Sequence, residues 1–264
     1  MVRIHGWSAV WVGFAAVWLL GGASGCATSN ARADDRQDQK RAYAHFNMAA
    51  DHMDNGRVEV AVRELLMAER LDPENMRVQH SLAIAFLRKG KHVEAEQRLD
   101  RILKRHPQAF EARYNLSTLY LNQGRYADCL EQSKVLFDDP TFTAPWRALT
   151  NWGWAAYRLG DVDVARQQLE YARDHNGYYW PTHLNLGILE QEQGNKMEAI
   201  RSYERVLGLS PGPSASAEVN YRLAEIYVSM EKRREALGHL RTAVVKAPDD
   251  PWGRKSEEYL KRLR

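Results

Sequence analysis

Two cysteines and nine histidines are the residues of this sequence best able to do chemistry. The histidines stand at positions 5, 45, 52, 80, 92, 106, 175, 183 and 239. None belongs to an H-E-x-x-H or similar ligand pair. His45 and His52 would lie two helical turns apart, too far along the axis to share a metal. There is no P-loop, no dinucleotide fingerprint and no Gly-x-Ser-x-Gly. No catalytic residue, metal or cofactor is therefore expected. The acidic pairs Asp138-Asp139 and Asp249-Asp250 fall between apolar segments, where such residues end one helix and cap the next. Cys129 falls where a small residue recurs. It reads as a buried substitute for alanine, because a thiol in apolar surroundings is inert.

Cys26 is different, because what precedes it is a processing signal. Arg3 and the free amine make a charged start. Trp7 to Leu20 (WSAVWVGFAAVWLL) then carries no charge. That run is about 14 residues, near 21 Å as a helix, short of the ~20 a spanning helix needs. Small residues follow, ending in Ala23, Ser24 and Gly25, immediately before Cys26. Together these describe a secretory signal peptide over 1–25. Small residues just before a cysteine are what a lipoprotein signal peptidase accepts. Cleavage would leave Cys26 as a new, acylated N-terminus. Each buried CH₂ of its chains adds ~0.8 kcal/mol of membrane affinity. Leu20 lies further upstream than the leucine usual in such a site, and a plain signal peptide or an uncleaved anchor are the alternative readings. Ala27, not aspartate, follows the cysteine, which permits export to the outer membrane in bacteria that use this sorting rule.

With Cys26 acylated, no disulfide can form within the chain. Stability must come from packing, and a hydrophobic content of 44% in 264 residues supplies ample core. A net charge of only +3, with no basic block, argues against a nucleic-acid partner. Residues 26–41 hold no large apolar side chain. They are expected to form a flexible tether with an r.m.s. reach of about 21 Å.

From Ala42 the chain repeats. Gly56, Gly90 and Gly124 are 34 residues apart; Gly160 follows after 36 and Gly194 after another 34. Five residues beyond each glycine comes a small residue: Ala61, Ala95, Cys129, Ala165 and Ala199. A sixth unit keeps Ala236 but has Glu231 in place of the glycine. Within each unit the apolar spacing is helical twice over. Position 8 is always small (Ala49, Ala83, Ser117, Gly153, Gly187, Ala224), as close helix crossing demands. Position 7 is always large (Met48, Leu82, Leu116, Trp152, Leu186, Leu223).

Units of this length resemble the tetratricopeptide (TPR) repeat. The resemblance implies an all-α solenoid of six helix–turn–helix units at 42–75, 76–109, 110–143, 146–179, 180–213 and 217–250. Short insertions at Ala144-Pro145 and Ser214–Ser216 break the phase. The polar, helix-forming segment 251–264 would cap the last unit.

In TPR proteins, set positions of each unit's first helix line a concave groove. Carried onto this chain, they give Tyr43, Phe46, Asn47, His80, Ile84, Leu87, Tyr114, Asn115, Leu121, Asn151, Trp154, Tyr157 and Asn185. The lining is apolar and aromatic in units one to four. Units five and six offer Gln191, Glu192, Glu218 and Glu225 instead. An amide donates and accepts at once. The four asparagines are thus either a ladder for a peptide backbone or a set of local packing bonds. An exposed aromatic patch marks a binding surface, which makes an apolar or amphipathic peptide the expected ligand of units one to four.

Four segments narrow the resemblance: YAHFNMA (43–49), NLSTLYLNQGRYADC (115–129), APWRALTNWGWAAYRLG (144–160) and KSEEYLKRLR (255–264). With the lipidation signal, they resemble the type IV pilus biogenesis lipoproteins PilF and PilW, and most closely their gliding-motility relative Tgl. Asn151-Trp152-Gly153-Trp154 matches an Asn-aromatic-Gly-aromatic stretch in that family's fourth unit. The resemblance implies a pilotin: an outer-membrane lipoprotein, on the periplasmic face, that promotes assembly of the pilus secretin. The secretin subunit would be its protein partner, and acyl chains on Cys26 its membrane contact. An adaptor for cell-wall enzymes or a subunit of an outer-membrane protein insertion machine are the alternatives.

Overall fold

In this computed structural model the structure describes residues 24–263, and for 24–34 the backbone alone. Residues 1–23, which include most of the expected signal peptide and Ala23, lie outside the described residues. Thirteen helices and no strand are found among the described residues. They pair as the spacing predicts: α1 (Ser24–Asp54) with α2 (Val58–Leu71), α3 (Met76–Arg88) with α4 (His92–Arg105), and α5 (Phe110–Asn122) with α6 (Tyr126–Asp138). Then come α7 (Pro145–Arg158) with α8 (Val162–His175), α9 (Trp180–Glu192) with α10 (Lys196–Gly208), and α11 (Pro213–Ser229) with α12 (Arg233–Lys246). A last helix, α13 (Pro251–Leu263), packs on both α11 and α12.

The turn inside each pair needs a left-handed residue. Gly56, Gly90, Gly124, Gly160 and Gly194 supply it, at φ between 71° and 91°. In the sixth unit Glu231 occupies the same region at φ 61°. The core runs between the two helices of each unit and on into the next. Leu65, Leu99, Leu169 and Leu240 from the second helices are fully buried against the small residues at position 8. Burying each such leucine stabilises the fold by roughly 2 kcal/mol. Sizes trade off across this contact. Where unit five has Tyr203, the partner is Gly187, and a Cβ there would sit 2.4 Å from the tyrosine ring. Met48 departs from the other position-7 residues. It is 45% exposed because unit one has no preceding unit to cover it.

Odd-numbered helices touch across units: α3 meets α5, α5 meets α7, and α7 meets α9. Even-numbered helices make no comparable contacts with one another. The first helices therefore lie on the inner side of the curve and form the groove wall.

One expectation changes. Residues 26–41 are not a loose tether but the upstream part of α1. The segment has no proline and no interior glycine after Gly25, and it is rich in alanine, arginine and glutamine. Helix propagates readily through such residues from a packed turn. The insertion Ser214–Ser216 is helical. It adds a turn to the start of α11, which Pro213 opens at its first position. The other insertion starts α7, with Ala144 before it and Pro145 at its first position, and in the loop that leads to it Asp139 accepts from Thr141 N (2.8 Å) and Oγ1 (2.6 Å). No helix among the described residues is long and apolar enough to cross a membrane.

Candidate functional site: the inner groove

The expected groove residues all lie on the first helices of their units, and they present very different amounts of surface. Tyr43 is 59% exposed and Asn47 is also open to solvent. Phe46, His80, Ile84, Leu87, Tyr114, Asn115, Leu121, Trp154, Tyr157 and Asn185 are half-buried, and Asn151 is buried. At the first junction, Phe46, Met53, Ser81 and Ile84 line a hollow of about 210 Å³. Arg88 closes its side by donating to the Met53 carbonyl at 2.9 Å.

The asparagines divide. Asn115 Nδ2 meets His80 Nε2 at 2.8 Å, joining unit three to unit two. Asn151 Nδ2 donates to Ser117 Oγ (2.9 Å) and Thr118 Oγ1 (3.0 Å), joining unit four to unit three. These amides hold neighbouring units in register. Asn47 and Asn185 make no such bond among the described residues. The packing reading therefore holds for two of the four, and no continuous ladder faces the groove. A donor directed at the preceding unit is not readable from repeat spacing alone.

Unit four supplies the main aromatic surface. The Trp154 and Tyr157 rings lie 5.2 Å apart, and the Tyr157 hydroxyl donates to Glu192 of unit five. Burial, together with that carboxylate, pushes the Tyr157 phenol up to about 12. Tyr114 is less available. The Arg147 guanidinium lies 3.7 Å over its ring, and its hydroxyl is 3.1 Å from that of Tyr179. Arg147 is itself held by both oxygens of Glu111, at 2.6 and 3.0 Å. The sequence pointed to Tyr114, but Tyr179, the last residue of unit four, which ties that unit to unit three, was missed. It lies just before α9, outside the usual groove positions.

Two histidines on the first helices are shifted by their surroundings. Burial depresses the His80 pKa against the opposing pull of Glu111, and burial likewise depresses that of His183, which contacts the Gly177 carbonyl at 3.0 Å. No group of three or more potential metal ligands occurs among the described residues. Cys129 is fully buried, and burial pushes its thiol up to about 12. Ser24, Gly25 and Cys26 form the first residues of α1.

A family model described as tetratricopeptide repeat matches residues 46–101, 81–128, 150–212 and 184–251. The chain belongs to the tetratricopeptide repeat family. Its fold is that of a protein-interaction scaffold. No curated protein matches the sequence. Among solved structures, Pseudomonas aeruginosa PilF is similar at 15% identity and a TM-score of 0.66, covering 84% of this chain and 99% of PilF. PilW, a widely conserved type IV pilus biogenesis factor, is similar at 15% identity and a TM-score of 0.69, covering 81% of this chain and 97% of PilW. The Cut9–Hcn1 hetero-tetramer of the APC/C reaches a TM-score of 0.73 at 18% identity, with 89% of this chain and 45% of that chain covered. At these identities the likeness is one of fold.

Proposed function

We propose that this chain is a lipid-anchored scaffold of the pilotin kind, holding a segment of the type IV pilus secretin in its groove and promoting assembly of the secretin ring. The observation that carries this reading is extent. PilF and PilW are matched over nearly their whole length, whereas the Cut9–Hcn1 chain is matched over less than half. A generic stack of repeats finds partial matches in many long arrays. The end-to-end matches with two pilus proteins support the pilus reading jointly with the processing signal at Cys26, since a tetratricopeptide repeat protein from Parabacteroides merdae is also matched over 89% of its length.

The physical argument runs from anchor to groove. Acyl chains on Cys26 would confine the array to the periplasmic face of the outer membrane. Between Cys26 and Ala42, α1 would then hold the groove off the bilayer as a rod of about 24 Å. The groove of units one to four offers the Trp154–Tyr157 pair, Tyr43 and the hollow at Phe46 to an apolar segment. Tethering raises the effective concentration of bound subunits at the membrane. Subunits that meet there can insert and multimerise.

Deleting the gene should remove heat-resistant secretin multimers from membrane extracts and abolish pilus-driven motility. Cys26→Ser should reduce multimers and release the protein from the membrane. Tyr43→Ala with Trp154→Ala should lower multimers while leaving helicity intact. Normal multimers in the deletion strain remove the pilotin reading.

A further inference from the structure

A pocket of about 410 Å³ opens where units two and three meet, at the loop end of the groove rather than along its floor. Its floor is apolar. Ile102 and Ala112 are buried, and the Phe110 and Phe142 rings lie 5.5 Å apart. Phe142 comes from the loop between α6 and α7. Two further hollows adjoin this pocket and share Met76 with it. Met76 is 43% exposed at the place where the three meet.

The charges around this depression do not balance. Its two carboxylates are answered: Glu111 by both nitrogens of Arg147, and Glu74 by Arg105. Arg77 and Arg101 are exposed and enter no ion pair among the described residues. Arg77 instead lies over the Phe46 ring at 5.6 Å. The mouth is thus apolar at its base and carries surplus positive charge at its rim.

We propose that this junction is a second docking site, which takes a bulky apolar side chain carried on an acidic segment of a partner protein. The volume suits one large side chain with part of its backbone, since pockets that hold small ligands begin near 300 Å³. Carboxylates flanking that side chain would face Arg77 and Arg101, steering approach and fixing orientation. The site is separate from the Trp154–Tyr157 surface and does not depend on the pilus reading.

Two fluorescein-labelled twelve-residue peptides test it by anisotropy against the purified protein. Both carry one central tryptophan; one flanks it with aspartate and glutamate, the other with lysine. The acidic peptide should bind at least tenfold more tightly at low salt. Arg77→Glu should erase that preference. Thr143→Trp, placed at an exposed rim position, should fill the mouth and weaken the acidic peptide at least tenfold. Trp154→Ala should leave its binding within twofold. Circular dichroism melts confirm that each variant is folded, and Arg101→Glu replaces Arg77→Glu if that variant is not. Equal binding of the two peptides overturns the proposal, as does acidic-peptide binding that survives both rim substitutions. So does a tenfold loss in Trp154→Ala, which would place the peptide in the groove.

Discussion

The two ends of the array are built from similar polar sequence, yet they are held in opposite ways. At the C-terminal end, α13 is docked. Gly253, Ser256 and Leu260 are buried, and Trp252 packs on Ala217, Ala243 and Ala247. The Trp252 ring also meets Tyr221 at 5.5 Å and lies under Arg222. At the N-terminal end, none of residues 35–41 is buried, and only Asp38 is not fully exposed. The upstream part of α1 is helical because it continues a packed helix, not because it packs. One end closes the solenoid, and the other leaves a lever. The proposed anchoring at Cys26 would use that asymmetry.

The sharpest way to break this comparison is at Gly253. A Cβ there would stand 1.9 Å from the Ala247 carbonyl oxygen, a backbone atom that cannot move aside. Gly253→Val should undock α13, exposing Leu260 and the face of unit six. The expected loss is about 3 kcal/mol, the range for stripping a buried apolar contact. It would be read as a lower denaturant midpoint and as faster amide exchange in α11 and α12. An unchanged midpoint would mean that α13 contributes nothing to the closed end.

A paired proline test is next in size. Glu257→Pro sits mid-helix in docked α13 and should cost about 3 kcal/mol. Gln37→Pro, in the upstream part of α1, should shift global stability by less than about 0.5 kcal/mol, because none of residues 35–41 is buried. If the proposed anchoring at Cys26 holds, its effect should appear instead in secretin multimers, because a kinked segment would displace the groove from the anchor. If both prolines cost the same, the upstream helix is packed against something after all.

Much of this was legible in the sequence, for reasons that differ by level. The six units could be read because a 34-residue period combines two local demands: a left-handed turn at Gly56 and its equivalents, and a close crossing at position 8. The docked end could be read too, since Trp252, Ser256, Tyr259 and Leu263 fall on one helical stripe. The state of 26–41 could not. Absence of large apolar residues says that a segment does not pack, and it leaves open whether a neighbouring helix propagates through it. The groove was legible as a list and not as a surface. Repeat position says which way a side chain points, but not that Arg147 covers Tyr114 or that Asn151 turns to Ser117. Those facts depend on what the adjoining unit offers at the same height.

The smallest effect compares the same turn at the two ends. Unit one places Gly56 at φ 71°, with nothing within 4 Å of where a Cβ would stand. Unit six places Glu231 at φ 61°. The space is open at Gly56, so any penalty at this turn is one of backbone conformation alone. A side chain in the left-handed region costs roughly 1–2 kcal/mol, and part of this is returned because glycine also loosens the unfolded chain. Glu231→Gly should therefore stabilise the protein by about 1 kcal/mol, and Gly56→Glu should destabilise it by a similar amount. The sites lie far apart, so the double variant should return close to the wild-type midpoint. A large residual in that cycle would show that the ends are coupled through the solenoid, as nearest-neighbour stacking does not predict.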